Sequence, residues 1–152
     1  MNRRVYLLAF VFGFILTGFA MAQVSQQWVQ QRSGMWGSSV VMDSNGNAYV
    51  TGPSLQDQQH NFEEDVVTVK YDSAGNELWL REFDETADQT FGSDMPSWIT
   101  LDPSGNVIVS GTSFLNGDGE KFLILKYDSD GNLLWRARST MGEVAIRVKT
   151  DA

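Results

Sequence analysis

The 152-residue chain has no cysteine, one histidine and only 11 basic residues against 19 acidic ones. Each shortage closes off a class of protein. Without cysteine there are no disulfide staples, thiolate zinc sites, cysteine nucleophile or lipid-anchored cysteine, so stability must come from packing alone. The single histidine, His60, sits in the polar stretch Gln56 to Phe62. A serine triad or a multi-histidine metal centre would have to rest on it, and it reads instead as a solvated loop residue. The acidic balance repels a phosphate backbone, which makes nucleic acid an unsuitable partner. No linker, low-complexity tract or charge block divides the chain.

The amino terminus stands apart. Asn2-Arg3-Arg4 is a short basic start, Val5 to Phe19 is apolar, and Ala20-Met21-Ala22 has the small-x-small form of a cleavage site. A retained membrane span needs about 20 apolar residues, and this run is shorter and interrupted by Gly13, Thr17 and Gly18. Residues 1–22 therefore read as a signal peptide for the general secretory route. The mature chain is expected in the periplasm, at the cell surface or outside the cell, with no membrane association after cleavage. Loss of Arg3 and Arg4 moves the formal charge from -8 to -10.

What the chain has in abundance is one motif. Asp43-Ser-Asn-Gly46-Asn47, Asp72-Ser-Ala-Gly75-Asn76, Asp102-Pro-Ser-Gly105-Asn106 and Asp128-Ser-Asp-Gly131-Asn132 are four copies of Asp-x-x-Gly-Asn between short runs rich in Val, Ile, Leu and Tyr. Such a series reads as β-hairpins: Asp bonds back to the backbone, Gly takes the left-handed conformation of a bulged loop, and Asn completes the bulge. Asp128-Ser-Asp130-Gly and Asn116-Gly-Asp118-Gly-Glu120 have some likeness to calcium loops, but they lack the ligand series and terminal Glu of a calcium hand. They read as a plain turn and a solvated connection, and no metal or cofactor is assigned.

Strand-like runs at Ser38–Met42, Ala48–Gly52, Val66–Tyr71 and Glu77–Trp79 are followed by equivalents at Ser97–Leu101, Val107–Gly111, Phe122–Tyr127 and Leu133–Trp135. Corresponding aspartates lie 59 apart (Asp43, Asp102) and 56 apart (Asp72, Asp128). A unit of four antiparallel strands repeated at this spacing is the content of a propeller blade. The expected fold is all-β, a partial β-propeller of about two four-stranded blades plus one flanking strand at each end. Blade one is placed at 33–83, blade two at 84–139 and the start of a third at 140–152. Strand Phe122-Leu-Ile-Leu-Lys126 is apolar on both faces, as a sheet sandwiched between sheets requires. Trp28, Trp79 and Trp135 begin three equivalent fourth strands, and their recurrence marks them as blade-packing residues.

The stretch from Asp65 to Trp79, Asp-Val-Val-x-Val-Lys-Tyr-Asp-x-x-Gly-Asn-x-Leu-Trp, resembles the bacterial secreted β-propeller repeats described as seven-bladed propeller or SBBP-type repeats. A close version runs from Lys121 to Trp135, and the likeness covers nearly all of residues 27–152. The resemblance implies a secreted or surface propeller and is almost silent on activity. A second likeness, to the tryptophan-docking repeats of quinone-dependent dehydrogenases, rests on Asp-x-x-Gly-x-x-x-Trp at Asp72–Trp79 and Asp128–Trp135. Ala74 and Asp130 stand there where those repeats carry Thr.

No catalytic set assembles from the sequence. Glu63-Glu64-Asp65 and Asp84 to Asp88 supply carboxylates, but a catalytic pair is defined by its separation across a cleft, and acidic runs in loops are usually solvated. Asp84 to Ser97 makes the connection into blade two 8 residues longer than its counterpart between Trp28 and Asp43. Phe91 and Met95 are candidate contact residues in it, with folding back onto the blade the plainer reading. The expected role is a noncatalytic binding or scaffold module, the amino-terminal piece of a longer propeller. Its partner would be a protein or glycan ligand or further blades of its own ring. The alternatives are a segment of a quinone-dependent dehydrogenase and a truncated product without function.

Overall fold

The computed structural model of the protein describes residues 28–54, 64–85, 92–139 and 148–149. Ser39–Met42 (β1), Ala48–Pro53 (β2), Val66–Tyr71 (β3) and Glu77–Phe83 (β4) form one sheet in the order β1-β2-β3-β4. Gly92–Leu101 (β5), Val107–Leu115 (β6), Gly119–Tyr127 (β7) and Leu133–Arg138 (β8) form a second sheet in the same order. All six neighbouring pairs are antiparallel. There is no helix among the described residues and neither sheet closes on itself, so the architecture is all-β, two blades of an open propeller.

The blades meet face to face. Tyr49, Val66 and Trp79 of blade one pack with Ile99, Val107, Val109, Leu123, Leu125 and Tyr127 of blade two in one buried cluster. The other face of β3 carries a smaller cluster, Val67, Val69 and Tyr71, covered by Trp28, Met35, Val50 and Leu80. Strand β3 is thus buried on both faces. Strand β7 buries Leu123 and Leu125 toward blade one but leaves Phe122 and Ile124 half-buried, because no sheet lies beyond it among the described residues.

Two local expectations change, and one solvated connection stands where it was expected. The segment from Trp28 forms no strand ladder; a fourth strand needs a third strand beside it, and the segment is held by side chains, with one backbone bridge from Met35 to Ser54. The second half of the Asp84–Ser97 connection is strand, because β5 begins at Gly92 and pairs with an equally prolonged β6 through Gly92↔Leu115. Extension satisfies backbone groups that a loop would leave to water. Asn116–Glu120 is a tight turn closing β6 onto β7, with the Asp118 N–H donating to Leu115 O at 3.1 Å. The start of blade three, the signal peptide and His60 lie outside the described residues, apart from Val148 and Lys149, which belong to no strand.

Each blade needs one glycine for close approach. In β6, a Cβ on Gly111 would fall 2.1 Å from Met95 O and 2.7 Å from Pro96 Cα, beside the bulge between Pro96 and Trp98. Gly52 in β2 lies closer still beneath Trp36 O, where a Cβ would fall 1.5 Å away. The first strand crosses its neighbour there at a distance only glycine permits. Gly111→Ala is therefore expected to cost about 2–3 kcal/mol or more through overpacking against backbone, read as a lowered urea midpoint.

Candidate functional site

The four Asp-x-x-Gly-Asn turns join β1–β2, β3–β4, β5–β6 and β7–β8, so all lie at the same end of the blades. Each Asp Oδ1 accepts from the N–H groups two and four residues on, for Asp43 those of Asn45 and Asn47 at 2.9 Å each. Asp72, Asp102 and Asp128 repeat the pattern. The Asn side-chain amide donates to Oδ2 at 2.7 Å in the first turn, and Asn76, Asn106 and Asn132 do the same. The backbone N–H of Gly46, Gly75, Gly105 and Gly131 donates to its own Asp carbonyl, and all four glycines have positive φ. These carboxylates are filled by their own turns.

The hydrogen bonds favour the charged form. Asn76 and Asn132 hold the Asp72 and Asp128 carboxyls below the usual carboxylate range. For Asp102, burial pushes upward but is outweighed by the Lys126 ammonium at 2.7 Å and by Asn106, leaving the carboxyl well below its ordinary value. Asp43 is lowered against burial by Asn47 and Asn45.

The tryptophans meet the turns of the next blade. Trp79 is 9% exposed, lies between Tyr49 and Tyr127 at centroid distances of 6.0 and 6.5 Å, and donates from Nε1 to Ser129 O at 3.0 Å. A Cβ on Gly131 would fall 2.9 Å from the Trp79 ring, so this glycine both makes the turn and seats the indole. Arg81 Nε donates to Gly131 O at 2.6 Å and Lys70 Nζ to Ser129 O at 3.0 Å. Trp28 repeats the contact on blade one: it lies 2.9 Å from the Cβ position of Gly75 and 5.9 Å from the Tyr71 ring, and Gln30 Nε2 donates to Gly75 O at 2.8 Å.

The donor two residues after each tryptophan, Gln30 or Arg81, was missed in the sequence; the spacing Trp-x-Gln and Trp-x-Arg was its signal. Ala137 stands at that place after Trp135, which is 44% exposed. Trp28 also lines an open groove of about 250 Å³ with Met35, Val50 and Tyr71. The groove's one charged lining residue, Arg32, is paired with Glu77 at 2.5 Å.

The opposite end is acidic. Asp65 precedes β3, Asp84 follows β4 and Asp94 lies in β5, and each brings a carboxylate oxygen within 4.8 Å of the others. Asp94 is 2% exposed. Its N–H donates to Glu64 O at 2.5 Å, its Oδ2 accepts from the Glu85 N–H at 2.6 Å, and its Oδ1 has no hydrogen-bond partner. Burial pushes the Asp94 carboxyl up against the hydrogen bonds of the Glu85 amide and the Ser113 side chain, and the Glu85 and Asp84 carboxylates add to the rise. Asp65 and Asp84, expected in solvated acidic runs, are thus brought together with an aspartate the sequence did not single out.

The remaining candidates divide. Asp118 pairs with Arg138 and, at 3.4 Å, with Lys121, and those cations occupy the carboxylate of the supposed calcium-like loop. Met95 is 46% exposed on β5. Phe91, Glu63 and Asp88 lie outside the described residues.

Residues 25–55, from just before Trp28 to just past β2, match the family described as SBBP, beta-propeller repeat. The chain carries an SBBP-type propeller repeat. The match falls on the Trp28 segment, the first turn and the strands around it; the second copy of the four-strand plan lies beyond it. No curated protein matches the chain.

Two outcomes follow for this repeat pair. Trp79→Ala is expected to cost about 3–5 kcal/mol, as for a large buried aromatic, and Trp135→Ala far less, by urea unfolding followed by circular dichroism. The turn aspartates have folded pKa values below their unfolded value of about 4, so their stabilisation is complete above that pH and is lost as pH falls through the depressed values. The turn aspartates' contribution to stability should be level toward neutrality and fall below about pH 4, with a shallower fall for Asp102→Asn by urea unfolding.

Proposed function

We propose that the chain is an extracytoplasmic, noncatalytic scaffold module, a segment of a larger propeller whose open face on β8 receives a further blade. One observation carries this reading. Trp79 and Trp135 occupy the same position in successive blades, yet Trp79 is 9% exposed and Trp135 44%. A large aromatic side chain left this exposed on an edge strand calls for a covering surface. The repeat supplies its chemistry: a four-stranded sheet offering a buried tyrosine and a glycine turn, as Tyr127 and Gly131 offer Trp79. Export is supported by the composition of residues 1–22.

Sedimentation of the purified chain over a range of concentrations tests the open face. Wild type should self-associate through it, and Trp135→Glu should shift the chain to monomer while keeping its β-sheet circular dichroism. A wild-type chain that stays monomeric throughout, or a Trp135→Glu variant that associates equally, would overturn the face; turnover of glycosides, peptides or esters would overturn the noncatalytic role.

A further inference from the structure

We propose that Asp65, Asp84 and Asp94 form a divalent-cation site of the calcium type at the junction of the two blades, on the end opposite the glycine turns. The three residues come from three separate places, the entry to β3, the exit of β4 and the middle of the prolonged part of β5. One oxygen from each lies within 4.8 Å of the other two. Calcium–oxygen bonds of about 2.3–2.6 Å place opposite ligands about 4.6–5.2 Å apart and neighbouring ones closer, so three oxygens this near to one another fall within the span of one calcium shell.

Proximity of acids would mean little by itself, since exposed carboxylates often cluster. Asp94 is different. It is 2% exposed, and its Oδ1 is buried without a hydrogen-bond partner, although the carboxyl is bonded by the Glu85 N–H and by the Ser113 side chain and its backbone N–H is engaged. Leaving a buried carboxylate oxygen unpaired is costly. A cation is the partner that removes the cost for this oxygen.

The repeat supplies an internal control. Asp94 lies eight residues before Asp102 and faces Ser113 across the ladder; Met35 lies eight before Asp43 and faces Ser54. Packing at this position is therefore met by methionine in blade one. Likewise the residue of blade two that corresponds to Asp65 is Lys121, a cation engaged with Asp118. The acids belong to this one junction and not to the blade plan.

The ion type follows from the ligands. Hard carboxylate oxygens, with no nitrogen or sulfur donor beside them among the described residues, select calcium or magnesium over zinc or copper. Three ligands from irregular positions, with Asp84 exposed to admit water, suit the loose shell of calcium better than the strict octahedron of magnesium. Asp94 is out of reach of a substrate, so the ion's work is to tie the blades together beside the Asp94 N–H to Glu64 O bond.

Titration of the full chain with CaCl2, followed by calorimetry and by the thermal unfolding midpoint, tests this. The expected result is saturable binding with an upward midpoint shift that grows with calcium concentration, weakened at least tenfold in Asp94→Asn and reduced in Asp84→Asn. Asp84 is exposed, so that variant keeps the test decisive if Asp94→Asn does not fold. No saturable binding by wild type, or binding by Asp84→Asn equal to wild type, would overturn the site, as would a larger response to MgCl2 than to CaCl2.

Discussion

The contact between an indole and a glycine turn governs this architecture. A blade is a flat sheet with two faces, and two blades stay in register only if something fixes where one sits on the next. Trp79 does this by resting where Gly131 has no side chain, with its N–H on Ser129 O and its ring edge toward Tyr49. The rest of the repeat serves that contact. Asp128 and Asn132 close the turn, the turn forces a positive φ on Gly131, and the conformation turns the carbonyls of residues 129–131 outward to receive Trp79, Arg81 and Lys70.

Magnitudes separate the parts of that arrangement. Each hydrogen bond from Arg81 or Lys70 adds on the order of 1 kcal/mol net, whereas burying the indole with its tyrosine neighbours is worth several times more. The hydrogen bonds therefore set position and the aromatic burial supplies the stability. The Trp28 contact reproduces the same division on blade one without strand pairing, which shows that the side chains hold the segment without a backbone ladder.

Much of this was legible in the sequence because the signals are local. The four turns, the eight strand cores and the packing role of Trp28 and Trp79 can be read from runs of five to eight residues, since a turn's chemistry and a strand's alternation are contained in them. Gly92-Ser-Asp-Met-Pro96 could not be read, because nothing in it favours a strand. It becomes one only because Thr112 to Leu115 lies alongside with backbone groups to pair. The acidic trio was hidden for the same reason: Asp65 and Asp94 are 29 positions apart, and only the stacking of two sheets brings them together.

The two ends of the blades are consequently under different constraints. At the turn end, the carboxylate of each motif is used by its own turn, and carbonyls of the second and fourth turns receive side chains of the segment or blade before, so a change there disturbs packing first. At the other end the repeats diverge. One first strand is long and the other short, Met35 stands opposite Asp94, and Asp65 opposite Lys121. Chemistry can be added at that end without disturbing the contact that aligns the sheets, since residues near Asp94 share no hydrogen bond with the glycine turns among the described residues. A repeat that seals one face with its own side chains leaves the opposite face as the place where individual blades can acquire a role of their own.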